Sequence, residues 1–474
     1  MKITITKNVA TRVLLALASL LIAGYMFTRP GDNSLYNNYY YVPLLFAVCV
    51  LLSKNYDLFD LSSPGTLVLK YTMIMKYMLM PIIMHVGGYH SWLGTMPNSG
   101  SVSTAIIFTI IEMIFVMAAI NILSSRGRAI AGSDKHVAIK PQSKGAIYKV
   151  LIILGLMVVV LLPETIADYR FLFNTDNLAE NIKVDFDYSG LLKTIVVFSR
   201  YAAVLLIINY FHKRNINRKS KINIVGAFIP VVLNCLFTPQ LSRITIFVPV
   251  LIFSTIIFII FNDKNERKMI ARVFLALLLG SLVFMSALKF FGEGRGNEDR
   301  SQDIGWWGDT LNMYFSGPKE TAIGVEAERI IDDRYGNARW KLLLNDMSSN
   351  VVGLSNIADD DNTSTVLYNL RYFSSSIAVC QIVPNIIEGY YYFGLIFCWI
   401  WPCIFVFLCF YFDKKSKKMN TIYMKFPYLY ASVYCGMILM INTSMIIANI
   451  INVSLLFIIV SAINMKLKFA REEA

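Results

Sequence analysis

Four charged side chains lie inside stretches of the sequence that are otherwise apolar. Arg200 stands near the middle of one such run, and Lys70, Lys76 and Glu112 lie in two earlier ones. A charge at the centre of a membrane span costs roughly 2.5–3.5 kcal/mol on the mildest scale, so Arg200 needs a partner or an anionic ligand. Lys193 adds a cation to the run that holds Arg200. The surplus of cations suits a phosphate-bearing ligand, and the alternative is that Glu112 neutralises one lysine inside the protein.

Arg243 follows a short turn, Thr238–Ser242, and opens the next apolar run. The first turn of a helix presents unpaired N–H groups, and a guanidinium donates two parallel hydrogen bonds to an oxyanion. Together they would form a good diphosphate site. The alternative is an arginine whose stem lies along the apolar helix end while its head reaches water.

Aromatic residues are concentrated late in the chain, among many carboxylates. Sugar rings stack on aromatic faces while carboxylates accept hydrogen bonds from hydroxyl groups. Tyr390–Tyr392 are also typical of an interfacial belt, which explains Trp306 and Trp307 less well because those two lie amid charges. The aromatic set is Trp306, Trp307, Tyr314, Phe315, Tyr335, Trp340, Tyr368, Tyr372, Phe373, Tyr390, Tyr391 and Tyr392.

The composition identifies the elements that must position these residues. Of the 474 residues, 56% are hydrophobic and 16% are charged, against about 45–50% and about 25% in soluble domains. The apolar residues fall into runs long enough to cross a hydrocarbon core, which predicts an all-α, polytopic membrane protein of about 12 transmembrane helices. The predicted spans are 9–27, 35–52, 66–86, 102–123, 147–162, 191–211, 222–237, 244–261, 273–290, 393–412, 426–441 and 445–463.

The net charge of +13 follows from dense basic segments between alternate spans. The positive-inside rule assigns these segments, 126–149, 213–221, 264–272, 414–418 and 466–471, to the cytoplasm together with both termini. Short basic runs next to a membrane contact lipid headgroups, so nucleic-acid binding is not expected. Arg243 then lies on the outer side, whereas basic residues are otherwise concentrated on the inner side. This exception favours the interpretation that Arg243 binds a ligand.

One long segment lies outside in this orientation. It covers 291–392 and separates spans 1–9 in residues 1–290 from spans 10–12 and a cytoplasmic tail in residues 393–474. It holds fifteen of the 31 acidic residues but only eight of the 44 basic ones. A connection of this length is usually functional.

Local signals in this segment predict two helices and a turn. Pro318 follows Ser316 and Gly317 and begins a helix that ends at Gly336, and Ala338–Asp346 forms a second helix. Ala358–Thr363 is a solvated acidic turn, because the glycine and closing glutamate of an EF-hand loop are missing. The seven cysteines form no disulfide framework or metal motif, and no nucleotide motif is present.

The chain resembles the bacterial O-antigen and capsule repeat-unit polymerases of the Wzy type over essentially its whole length. The resemblance depends on the span pattern and on three short motifs. These are Leu241-Ser242-Arg243, Tyr314-Phe315-Ser316-Gly317-Pro318 and Glu388-Gly389-Tyr390-Tyr391-Tyr392-Phe393-Gly394. It implies a GT-C-like polymerase/ligase architecture in the bacterial inner membrane. Family members often carry an arginine in the last outer loop, where this chain has Asn442-Thr443-Ser444.

The resemblance also implies an activity that needs no metal or cofactor. A growing glycan would pass from undecaprenyl diphosphate to the sugar end of another lipid-linked repeat unit at the outer leaflet. Glu388 is the expected base, with Asp309 behind it. Diphosphates would be bound by Arg200, Arg243, Arg371 and Lys319, and Trp306, Trp307 and Tyr314 would contact substrate. Expected partners are the lipid-linked oligosaccharide, membrane lipids, a chain-length regulator and a flippase of the same pathway.

Three other functions are compatible with a chain of this kind. An O-antigen ligase would share the fold, but its family is usually recognised by a histidine in the large outer loop, and the outer histidines here are His85 and His90. A flippase of lipid-linked oligosaccharide would use midmembrane charges such as Arg200 and Lys76 without needing the long loop. A polysaccharide acyltransferase would need an outer His-Asp pair or a similar motif.

Overall fold

The computed structural model describes most of the chain. The described residues are 7–29, 31, 34–53, 56–58, 60–89, 94–131, 139–141, 145–166, 169–171, 189–239, 243–261, 263, 266–277, 280, 304–373 and 381–466. They are mainly helical. The first part of the predicted outer segment, 291–303, and the end of the predicted ninth span lie outside these ranges.

The helices follow the apolar runs of the sequence. Tyr169–Phe171 (β1) pairs antiparallel with Phe237–Pro239 (β2) in a short two-stranded ribbon. The helices are α1 (Lys7–Thr28), α2 (Tyr41–Leu52, after a 3₁₀ turn at Ser34–Tyr40), α3 (Pro64–Val86, with a π turn at Met75–Leu79), α4 (Ser99–Ala131), α5 (Ala146–Leu161), α6 (Ser189–Asn217), α7 (Lys221–Leu236), α8 (Arg243–Ile260), α9 (266–277), α10 (Ile304–Tyr314), α11 (Pro318–Tyr335), α12 (Arg339–Ser348), α13 (Ser364–Phe373), α14 (Asn385–Phe397), α15 (Ile400–Lys418), α16 (Ile422–Gly436) and α17 (443–466, with a π turn at Ile450–Leu455).

The lengths and composition of these helices are those of a helical membrane protein. Among the described residues, six helices are long and apolar enough to cross a membrane, and α14 with α15 would make a seventh broken span. Shorter apolar helices are α5, α7 and part of α8. The multi-pass membrane protein predicted from composition is therefore confirmed at this level.

The predicted tenth span, 393–412, is not one straight helix. The chain bends by 115° between α14 and α15. Gly394 has φ +74°, which favours glycine, and Gly389 lets the backbone of Cys398 approach so closely that a β-carbon would overlap its carbonyl oxygen. These two glycines build the bend, which apolar run length alone does not reveal.

Contacts between loops define two ends of the helical bundle. At one end, Lys417 Nζ lies 3.3 Å from Asp60 Oδ2 and the backbone N–H of Lys140 donates to Asn420 O at 2.9 Å. The basic residues around 213–221 and 414–418 belong to the turns at that end. At the opposite end lie the turns around 87–98 and 437–442 together with residues 304–373, which we call the outer cap because the sequence predicts that this segment lies outside.

The outer cap packs directly on the ends of the spans. Gly87 brings the end of α3 so close to Gly305 in α10 that an added β-carbon would lie 2.7 Å from the Gly305 Cα. The hydroxyl of Tyr391 in α14 donates to Gly324 O in α11 at 2.8 Å. The backbone N–H of Val352 donates to Asn452 Oδ1 in α17 at 3.0 Å. The cap is therefore part of the folded helical body.

The predicted local structure of the cap is confirmed. Pro318 occupies the first turn of α11 and Gly336, with φ +47°, ends it. Helix α12 covers nearly all of the predicted second helix, and the acidic turn forms an exposed 3₁₀ turn at Asp360–Asn362. The N-cap of α11 is Gly317, without a side-chain cap.

Candidate functional site

The charges inside the first spans are engaged with the protein. Lys76 Nζ donates to Glu112 Oε2 at 2.6 Å, and Tyr77 donates to the same oxygen at 2.9 Å. Both ionised side chains are buried. Lys70 Nζ donates to Asp57 O at 2.8 Å. The alternative that Glu112 neutralises a lysine is confirmed, and neither lysine is left for a phosphate in this arrangement.

Two of the predicted diphosphate ligands lie in α6 and at the start of α8. Arg200 lies in α6 with its guanidinium 5.3 Å from the centre of the Tyr201 ring. Arg243 is the first residue of α8, as predicted, but its side chain and Leu241-Ser242 lie outside the described residues. Their roles stay predictions.

Arg371 ties the outer cap to the loop before α4. Its guanidinium forms an ion pair with Glu326 and donates to Thr95 Oγ1 at 2.7 Å. Glu326 also accepts from Asn98 Nδ2 at 2.6 Å. These contacts give Arg371 a structural role, while almost a third of its side chain remains exposed.

Two predicted residues meet in a buried group at the start of α11, which we call the Glu320 cluster. Asp309 Oδ1 lies 3.9 Å from Lys319 Nζ, and that ammonium is 5.3 Å from the centre of the Tyr372 ring. Next to it, Glu320 accepts hydrogen bonds from Tyr368 at 2.7 Å and Tyr372 at 3.1 Å. All five side chains are buried or nearly so.

Burial makes Glu320 a group that can change protonation state near neutral pH. Loss of water disfavours the carboxylate more than Lys319 and the two tyrosines favour it, which raises its pKa to about 7. A carboxyl group of this kind can accept a proton or deliver one under ordinary conditions. Asn312 Nδ2 also donates to Glu320, at 3.2 Å.

The second buried group surrounds Glu388 and is called the Glu388 cluster. Glu388 Oε2 accepts from Thr443 Oγ1 at 2.6 Å and from Asn385 Nδ2 at 3.1 Å, so α14 is tied to the start of α17. One turn along the same face of α14, Tyr392 donates to Asp346 Oδ2 at 2.6 Å. Burial raises the pKa of Asp346 to about 6.

Only some of the aromatic side chains predicted to contact sugar are exposed. Trp306 and Trp307 meet edge to face, with ring centres 4.9 Å apart, and Trp307 is exposed. Tyr314 is the last residue of α10 and is half-buried. The interpretation of an interfacial belt is wrong for Tyr391 and Tyr392, which are buried and donate to protein acceptors.

The described contacts join only some of the predicted residues. Asp309 and Lys319 come together, Glu388 lies in another cluster, and Arg371 binds elsewhere in the cap. Sequence reasoning missed Glu320 and Asp346. One signal was present, because Tyr368 and Tyr372 are four residues apart and share a helix face. Glu320, which accepts from both tyrosines, is 48 residues from Tyr368 in the sequence, and no local pattern links it to them.

Comparison of the chain with protein-family models, with curated proteins and with solved structures gives no match. Within the described ranges, no three or more His, Cys, Asp and Glu side chains are grouped so that they could hold a metal ion. The function is therefore inferred from the residues of this chain.

Proposed function

We propose that this protein polymerises lipid-linked oligosaccharide repeat units at the outer leaflet of a bacterial inner membrane. The observation that carries the proposal is the outer cap with its buried ionisable groups. Asp309, Lys319, Glu320 and Asp346 lie inside the cap, and Glu388 lies where the chain returns to the spans. Burying so many ionisable groups is costly, and perturbed groups of this kind are concentrated at functional sites.

The proposal includes a GT-C-like architecture with about 12 spans and both termini in the cytoplasm. The six long helices and the broken pair account for seven spans. The shorter helices α5, α7 and α8, with α9 and α16, supply the remainder. Support for the orientation comes from the basic turns, which gather at the end opposite the outer cap.

The reaction needs a cation for the leaving group and a base for the acceptor. The acceptor hydroxyl oxygen attacks the anomeric carbon of the donor glycan and forms the new glycosidic bond. The bond between that carbon and the phosphate oxygen breaks, and undecaprenyl diphosphate leaves with the electron pair. Lys319, Arg371, Arg200 and Arg243 are the proposed diphosphate ligands. Glu388, with Asp309 as the second candidate, takes the proton of the hydroxyl.

A glycan ladder on a gel tests the proposal in cells. We expect deletion of the gene to leave single repeat units on the final anchor, and restoration of the gene to restore the ladder. Polymerised lipid-linked material that accumulates outside would favour a ligase. Unpolymerised material retained on the inner side would favour a flippase. Either of these outcomes would contradict the proposal.

A further inference from the structure

A cavity of about 660 Å³ opens between the outer cap and the bend that joins α14 to α15. Its size is within the range of small-molecule sites, about 300–1,000 Å³. None of the bases or diphosphate ligands predicted from the sequence lines it, but Trp340, Tyr390 and Tyr392 of the predicted aromatic set do. The lining residues are Glu328, Gly336, Asn337, Arg339, Trp340, Tyr390, Tyr392, Phe393, Gly394 and Leu395.

One wall of this cavity is polar. Arg339 Nη2 lies 2.5 Å from Glu328 Oε1 and 3.1 Å from Asp332 Oδ1, so one guanidinium is shared by two carboxylates. Glu328 also lines the cavity, and its Oε2 accepts no hydrogen bond from the described residues. Asn337 adds an exposed amide. The one cation of this wall is already engaged, so the wall does not favour a diphosphate, whereas hydroxyl groups can donate to a carboxylate or bind the amide.

The other wall is aromatic. Trp340 is 59% exposed, an unusual state for so large an apolar ring in the cap. Tyr390 and Phe393 are half-buried and face the same cavity. Aromatic rings together with a carboxylate and an amide form the surface that a sugar ring needs, since its C–H faces stack while its hydroxyl groups donate.

The rim of the cavity continues into an apolar tip. After Gly394, the residues Leu395, Ile396 and Phe397 are 60%, 75% and 53% exposed. They form the outer corner of the bend between α14 and α15. Three consecutive exposed apolar side chains beside a polar cavity suit a ligand that has a sugar at one end and a hydrocarbon chain at the other.

We propose that this cavity is the saccharide-binding cleft for a lipid-linked oligosaccharide, with the isoprenoid chain lying against Leu395, Ile396 and Phe397. The inference rests on the proposed function and names where its substrate binds. The cleft also adjoins the Glu388 cluster. Tyr392 lines the cleft and donates a hydrogen bond to Asp346 of that cluster. The diphosphate would be bound outside the cleft.

Binding measurements on the full-length protein in lipid nanodiscs test the sugar part. The probe is the water-soluble repeat-unit oligosaccharide released by mild acid from the lipid-linked units of the host. Trp340→Ala and Glu328→Gln should each weaken its binding by about tenfold, as expected for one lost stacking or charged hydrogen-bond contact. Trp340→Phe should keep most of the affinity. Ile357→Ala, an exposed residue of the cap outside the cavity, is the matched control.

A second probe, undecaprenyl phosphate without sugar, tests the lipid part. Ile396→Asn should weaken its binding while leaving the oligosaccharide unaffected, and Trp340→Ala should do the reverse. Trp340 is exposed, so its replacement leaves the fold intact. If Trp340→Ala and Glu328→Gln both bind the oligosaccharide like the wild type while gene deletion abolishes the ladder, the cleft is wrong and the proposed function stands. If the wild type binds no oligosaccharide and deletion leaves the ladder unchanged, both are wrong.

Discussion

At the scale of single residues, Glu388 and Asp309 illustrate how differently a predicted catalytic carboxylate can be placed. Glu388 has two protein donors that hold its carboxylate in one position between α14 and α17. Asp309 lies beside a buried ammonium, which stabilises its charge. A base needs a fixed geometry and a free lone pair, and Glu388 keeps Oε1, whose described contact is a long one of 3.4 Å from the Thr443 N–H.

We expect Glu388→Gln to abolish chain growth while the protein still binds lipid-linked substrate. The amide is nearly isosteric and can still accept from Thr443, but it cannot take a proton. Polymer length on a gel and substrate binding by the purified protein together provide the measurement. Asp361→Asn, in the exposed acidic turn, removes a carboxylate elsewhere in the cap and should leave the ladder unchanged. A normal ladder from Glu388→Gln would remove this residue as the base.

Glu320 gives a prediction about stability and pH. Its pKa is about 7 in the folded protein and close to the ordinary value of 4.5 when unfolded. The folded state therefore binds the proton more tightly, so this group stabilises the protein fully below about pH 4.5. The contribution, about 3 kcal/mol, is lost as the pH rises through 7.

We expect Glu320→Gln to remove this dependence. In thermal unfolding measured from pH 5 to pH 8, the melting temperature of the variant should rise relative to that of the wild type as the pH increases. Asp361→Asn serves again as the control, because its carboxylate is exposed. Parallel curves for Glu320→Gln and the wild type would contradict the account of this buried carboxyl group.

At the scale of elements, the helices of the cap were predictable because their signals are local. Pro318 and Gly336 mark the two ends of α11, and both signals act within one turn of the chain. The bend between α14 and α15 was not predictable in the same way. Gly389 and Gly394 lie within a few residues of position 393, where the tenth span is predicted to begin. Their effect on the chain depends on which backbone segment packs against them. That packing is set by tertiary structure and has no local sequence signal.

Gly389→Ala tests the bend directly. Its added methyl group would overlap the carbonyl oxygen of Cys398, which is backbone and cannot move aside cheaply. We expect a loss of roughly 1–3 kcal/mol in the free energy of unfolding, as for other overpacked sites, and a lower melting temperature in detergent. Gly24→Ala in α1 is the matched control, since a methyl group there meets no atom within 4 Å. Equal melting temperatures for the two variants would mean that α14 and α15 are not so closely packed.

At the scale of the whole molecule, the described loops gather at two ends of the helical bundle. The charge pattern supports the same division, since the basic turns and the acidic cap lie at opposite ends of the bundle. The clusters inside the cap could not be predicted, because each joins residues far apart in sequence. Asp346 and Tyr392 are 46 residues apart, and Glu388 and Thr443 are 55 apart. Only the packing of α12, α14 and α17 brings such pairs together.

The orientation of the bundle predicts which residues a reagent outside the cell can reach. Ile357→Cys in the cap should react with a membrane-impermeant thiol reagent on intact cells in a Cys380→Ser background. Lys219→Cys, exposed in a basic turn at the opposite end, should react only after the membrane is opened. The reverse pattern would mean that the cap lies in the cytoplasm, where the proposed reaction does not take place.

The proposed function requires that this protein alone elongates lipid-linked glycan. The most direct measurement uses the purified protein in liposomes with the lipid-linked repeat unit as the only substrate. We predict a ladder of lipid-linked products spaced by one repeat unit, with free undecaprenyl diphosphate released in step with each added unit. Substrate that crosses the liposome membrane without growing, or that stays unchanged, would contradict the claim.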